Sequence, residues 1–130
     1  MTQEHKDLLL KDLCARLPYG VWIERKLKSC KFGAKCMLNA HDISAIEREQ
    51  YEFCKPYLFP LSNMTDEEYA IYFKIWEDTG KMAYLEGCHH LIINIKAYKA
   101  ANDYLLSKHY DVNGLIPMGL ANDATGKDIY

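Results

Sequence analysis

Apolar positions recur at helical spacing near the start of the chain. Leu10, Leu13, Cys14 and Leu17 share one face over residues 3–16, and Thr2 is placed to cap the first turn. The predicted helix ends at Leu17-Pro18, because a proline ring disfavours helical geometry in the residue before it. Past Tyr19-Gly20 the pattern changes. Val21-Trp22-Ile23 is β-branched and aromatic and predicts a strand. Lys28–Lys31 and Ala34–Leu38, on either side of Phe32-Gly33, predict a hairpin turning near Gly33. A third strand is expected through Ile43–Ile46, and Glu47–Phe53 reads either way. Lys55-Pro56-Tyr57-Leu58-Phe59-Pro60 holds two prolines, which exclude a central strand and predict an ordered connection anchored by its apolar side chains.

The clearest local signal is Thr65-Asp66-Glu67-Glu68, a capping box in which the Thr65 hydroxyl accepts from the N3 amide and Glu68 reaches back to the cap amide. Met64 and Tyr69 occupy the two positions of a hydrophobic staple. Tyr69, Tyr72, Phe73 and Trp76 then form one apolar stripe, and Gly80 is a natural stop, so the helix is expected over 66–78. Within 81–95, Leu91-Ile92-Ile93 fits strand or buried helix; the favoured reading is a helix over 88–108 with Leu91, Ile95, Tyr98 and Leu105 facing inward. The tail, with Gly114, Pro117, Gly119 and Gly126, predicts an irregular arm around Leu115-Ile116 and Leu120. These elements define an α+β fold: a small antiparallel sheet of about three strands packed against three helices, with an irregular C-terminal arm, as a single domain over 1–130.

Composition narrows the function. The 130 residues are 49% hydrophobic and 26% charged, a globular mix, and a formal net charge of −2 provides no whole-molecule attraction for nucleic acid or acidic lipid. No run of 18 apolar residues occurs, and Leu8-Leu9-Leu10 is too short for a signal sequence, so no membrane association and a cytoplasmic location are expected. Cys14, Cys30, Cys36, Cys54 and Cys88 are odd in number and irregularly spaced, which predicts free thiols in a reducing compartment. No cofactor is expected.

Several constellations invite a chemical reading. Cys30, Cys36 and His41 resemble the second half of a CCCH zinc finger, but Trp22 and Ile23 stand where a further Cys is wanted and structural zinc needs four ligands. They are weak metal candidates set against chance placement in a hairpin. Cys88-His89-His90 sets a thiol beside two imidazoles, yet neighbours on a helix point about 100° apart and a nucleophile needs its base across the site. Asp42, Glu86, Asp103 and Asp111 show no readable pairing as an acid–base dyad.

A basic run remains. Arg25, Lys26, Lys28, Lys31 and Lys35 face only Glu24 within residues 24–35. With Trp22 or Phe32 as a stacking surface, they suit contact with phosphates and bases; as a solvated edge, lysines of this kind discourage strand-to-strand aggregation. Ten tyrosines are many for this length, and tyrosine is favoured where apolar area must end in a polar tip.

Leu8-Leu9-Leu10-Lys11-Asp12-Leu13-Cys14-Ala15-Arg16-Leu17-Pro18-Tyr19-Gly20-Val21, Lys55-Pro56-Tyr57-Leu58, Leu61–Glu68 and Tyr110–Ala121 together resemble a group of small uncharacterised proteins encoded by phages and prophages of Bacteroides-type bacteria. Val112-Asn113 departs from the aromatic–arginine pair usual in that group, and 81–95 has no counterpart. The resemblance implies a mobile-element origin and a bacterial host cytoplasm, and no activity. With the basic run, it suggests a non-enzymatic, stoichiometric inhibitor of a host defence protein or ribonucleoprotein, of the anti-CRISPR kind, contacting a partner and its guide RNA. The alternatives are a nucleic-acid-binding accessory of phage replication or gene control, and a small enzyme using Cys88 or Cys36. An uncovered edge strand would favour a homodimer.

Overall fold

The computed structural model describes residues 1–130. Helix α1 (Gln3–Arg16) leads through a short 3-10 turn into strands β1 (Trp22–Leu27) and β2 (Ala34–Met37), then helix α2 (Ala40–Glu47) and strand β3 (Tyr51–Leu58). Helices α3 (Asp66–Leu85) and α4 (His90–Ser107) follow, and the C-terminal arm adds β4 (Asn122–Asp123). The chain is α+β, with a mixed sheet in the order β2-β1-β3-β4. β1 pairs antiparallel with both β2 and β3, and only the two-residue β4 runs parallel, beside Tyr57 and Leu58.

One face of this sheet makes the core. Val21, Ile23, Cys54 and Leu58 point toward Leu9 and Leu13 of α1 and Ile46 of α2, and Leu115, Leu120 and Ala121 of the arm close the cluster. α1 begins as expected, with Thr2 accepting from the His5 amide, but its buried face is set by Leu9, Asp12, Leu13 and Arg16, and Cys14 lies outside. Gly20 after the turn adopts φ 72°, in the left-handed region where glycine is at ease. Gly33 is required for a different reason: a Cβ there would come 3.1 Å from the Arg25 carbonyl oxygen.

Several expectations are overturned. Lys28–Lys31 is part of the loop joining β1 to β2 and forms no strand. Ile43–Ile46 is helical, because Asn39 and Asp42 form a second capping box: the Asn39 side chain accepts from the Asp42 amide at 3.1 Å and Asp42 accepts from the Asn39 amide at 3.0 Å. The 55–60 segment continues β3 as far as Leu58. Pro56 is tolerated because it pairs with Ile23 on one side, while β4 begins only at Tyr57 on the other, so β3 is still an edge where the amide is missing.

The helical hairpin departs furthest from expectation. α3 opens on its capping box at Thr65 as predicted, but it runs through Gly80 to Leu85, with α4 packed alongside and Ile93 next to Gly80. The face of α4 turned inward is Ala97, Ala101, Leu105 and Leu106, not Leu91, Ile95 and Tyr98, which are more than half exposed. Small alanines let the two helices approach closely, and the large side chains are left on the flanks. Tyr69 and Phe73 are exposed as well. Neither helix contributes a residue to the main core cluster, so the hairpin stands as a second layer beside the sheet. No helix is long and apolar enough to cross a membrane.

Candidate functional site

Strand alternation sends every second residue of β1, β2 and β3 to the side opposite the core. On that outer side β1 presents Trp22, Glu24 and Lys26. The register sets Met37 beside Trp22, Lys35 and Lys55 on either side of Glu24, and Phe53 beside Lys26. Tyr57 follows two residues after Lys55. Half-buried Trp22 and Phe53 and the buried ring of Tyr57 therefore share one face with their lysines.

The side chains lying over those rings are lysines. Lys35 Nζ stands 5.2 Å from the Trp22 ring centre and 5.8 Å from that of Tyr57. Lys127, from the arm, is 5.6 Å from Tyr57, and Lys55 is 5.9 Å from Phe53. Lys26 pairs with Glu52, and Glu24 accepts from the Asn122 amide at 3.3 Å. Four lysines thus stand against Glu24, Glu52 and Asp123, which lies within the field of Lys127, so the face keeps a small excess of positive charge on a chain whose net charge is −2. Tyr130 pins the corner of the face: the Trp22 amide donates to its hydroxyl at 3.0 Å, which donates to the Tyr57 carbonyl at 2.8 Å. Burial pushes the Tyr130 phenol up to about 12, so it stays a neutral donor.

Of the residues singled out in the sequence, the structure brings Trp22, Lys26 and Lys35 onto this face. Arg25 points to the other side, where it pairs with buried Asp42 and donates to the Tyr51 hydroxyl at 3.0 Å. Tyr51 donates to Asp42 at 2.6 Å, and burial together with that bond raises its phenol to about 12. Arg25 is a structural cation. Lys28 and Lys31 lie in the exposed β1–β2 loop with Phe32. Phe53, Lys55, Tyr57 and Lys127 were not anticipated. The alternation through Phe53, Lys55 and Tyr57 carried the signal, and Pro56 masked it.

The cysteine and histidine candidates disperse. Cys30 is in the exposed loop, Cys36 on β2 and His41 in the first turn of α2, and no three His, Cys, Asp or Glu side chains gather around a metal-sized space. Burial raises the Cys36 thiol and lifts Cys54 to about 12, the direction opposite to that of an activated nucleophile. At the α3–α4 turn, His89 Nδ1 accepts from the Leu91 amide at 3.3 Å and caps α4.

Residues 8–21 and 110–121 converge on a buried ion pair. Arg16 Nε and Nη2 donate to the two Asp12 oxygens at 2.7 and 3.0 Å, and Nη2 also donates to the Tyr110 carbonyl at 2.8 Å. Asn113 donates to Asp12 at 2.8 Å, while Asp111 accepts from the Leu115 and Ile116 amides at 2.8 and 2.9 Å. Both members of the pair are sealed from solvent. These residues clamp α1 to the arm, and they offer nothing to a ligand. No family model, curated protein or solved structure matches the chain.

Proposed function

We propose that this chain is a non-enzymatic binding protein that takes single-stranded RNA on the outer face of its sheet and acts by occupancy. The observation that carries this reading is the interleaving of half-buried Trp22 and Phe53, backed by the buried ring of Tyr57, with Lys26, Lys35, Lys55 and Lys127 on one face. Base–aromatic stacking is worth about 1–3 kcal/mol per base, whereas a solvent-exposed lysine over a ring contributes about 0.5–1 kcal/mol. An arriving base therefore displaces the lysine from the ring, and the freed ammonium turns to the adjacent phosphate. Stacking and charge neutralisation are gained in the same movement.

The resemblance to phage and prophage proteins supplies the setting: the cytoplasm of a bacterial host, with a host ribonucleoprotein such as a guide-RNA-bearing defence complex as the target. Such an inhibitor needs a shaped surface and a few anchors, with no cofactor and no tuned catalytic group.

Fluorescence anisotropy with labelled single-stranded oligouridine and oligoadenosine RNA, and the matching DNA, tests the reading. Four phosphate contacts on a single strand predict a log–log salt slope near −2.8, a loss of about 50-fold between 50 and 200 mM salt. Trp22→Ala and the Lys35→Glu/Lys55→Glu pair should each abolish most of the binding, while Lys28→Ala/Lys31→Ala in the loop should change it less than 3-fold. Absence of binding at 50 mM salt refutes the proposal.

A further inference from the structure

The α3–α4 hairpin carries a second surface, unrelated to the sheet face. Tyr69, Phe73, Tyr72, Trp76 and Tyr98 form a continuous chain of ring contacts with centroids 5.5–6.5 Å apart, which crosses from α3 to α4 at Trp76–Tyr98. On α4, Leu91 and Ile95 lie on the same stripe as Tyr98, at the alternating four- and three-residue intervals of a bundle seam, and Asn102 continues it before the stripe turns inward at Leu105. On α3 the stripe extends past Gly80 to Tyr84. A groove at the far end, between the two helices, is lined by Gly80, Lys81, Tyr84, Leu85, His90 and Ile93.

We infer that a second copy of this chain covers this surface, the two hairpins packing face to face as a four-helix bundle. The size of the surface supports that occupant. Tyr69, Phe73, Tyr84, Leu91, Ile95 and Tyr98 are each 42–73% exposed. At about 200 Å² for a fully exposed large side chain, they offer roughly 700 Å² per protomer, close to the ~800 Å² per partner of a standard stable interface. The shape supports it too. A hairpin with a seam on both helices is self-complementary under a two-fold axis. Asn102, the one polar residue on the α4 stripe, fixes the register by bonding to its counterpart's side of the bundle.

Sedimentation velocity and light scattering on the full chain between 1 and 100 μM test the inference. The expected species is twice the 15.1 kDa protomer. Tyr84→Lys/Ile95→Lys alters only exposed positions, so far-UV circular dichroism should be unchanged while dimer association weakens at least 100-fold. In a Cys14→Ser/Cys30→Ser/Cys36→Ser/Cys88→Ser background, which removes the accessible native thiols, Ile95→Cys should cross-link between copies through a short bismaleimide and the background alone should not. A 15.1 kDa protomer at 100 μM overturns the inference, as does a dimer that survives Tyr84→Lys/Ile95→Lys and is instead lost on changes to the β2 edge. Binding of a short RNA by the monomeric double variant remains intact if the sheet face works as proposed, so the two readings fail separately.

Discussion

Removing one charge of the Asp12–Arg16 pair should be far more damaging than removing both. In Asp12→Leu the guanidinium of Arg16, 1% exposed, keeps only the Tyr110 carbonyl as partner, and its Nη1 is already without one. An uncompensated buried charge costs about 3–5 kcal/mol. Arg16→Met strands the Asp12 carboxylate, 0% exposed, with only the Asn113 amide, and costs a similar amount. In Asp12→Leu/Arg16→Met neither charge is present. What remains is the part-exposed Asn113 amide, since the Tyr110 carbonyl still accepts from the Val112 amide at 3.0 Å, at a residual cost of about 1–2 kcal/mol. Additivity would put the double variant near 6–10 kcal/mol, so the coupling should exceed about 3 kcal/mol in favour of the double. Equilibrium urea unfolding at pH 7 measures all three. Where a single variant shows no cooperative transition at all, the double variant should still show one. Single variants costing under about 1 kcal/mol, or a double at or beyond the sum, would refute the clamp as the reason these residues are present.

Two further outcomes follow from the same geometry. His109 stacks on Tyr130 with ring centres 3.6 Å apart; burial, with the positive charge of Arg16 and Lys108, holds its imidazole down to about 4. The unfolded chain takes up that proton near pH 6.5, so the contribution is complete above about 6.5 and is lost as pH falls toward 4, by about 1–2 kcal/mol after allowance for its partial exposure. Urea midpoints at pH 7 and pH 4.5 should show this loss, and His109→Asn, which tolerates the residue's φ of 65°, should remove it; an unchanged slope in that variant would refute the assignment. Thr65→Ala removes the cap that accepts from the Glu68 amide at 3.1 Å, costing about 1 kcal/mol. Amide exchange at Glu68 and Tyr69 should then quicken about 5-fold, with the β1 and β3 amides unaffected.

Local chemistry was readable in the sequence wherever it stayed local. The Thr65–Glu68 box, the Thr2 cap and the stop at Pro18 each depend on residues within one turn, and each stands where the pattern placed it. Asn39 and Asp42 obey the same rule, but Ile43 and Ile46 drew attention to β-propensity first. Periodicity located the α4 stripe correctly and assigned it the wrong side. It reports that Leu91, Ile95 and Tyr98 share a face, not whether anything in the chain covers that face, and the alanines at 97 and 101 give the closer approach. The sheet face was hidden for another reason. Trp22 meets Met37, and Glu24 meets both Lys35 and Lys55, only through pairing between segments far apart in sequence, and Pro56 made the third segment look like a connection.

Net charge misleads for a related reason. A formal charge of −2 argues against nucleic acid only if the charge is spread evenly. Here it is segregated: residues 66–107 hold seven acidic residues against four lysines, so the remainder of the chain is positive. At physiological salt the field of an exposed charge fades within about 8 Å, so a phosphate approaching Lys35 and Lys127 responds first to the charges of the sheet face. The acidic surplus repels RNA from the hairpin and leaves its aromatic seam for contact of another kind. Two surfaces of opposite chemistry can therefore share 130 residues, because the core that fixes the sheet takes nothing from the hairpin and neither surface has to yield to the other.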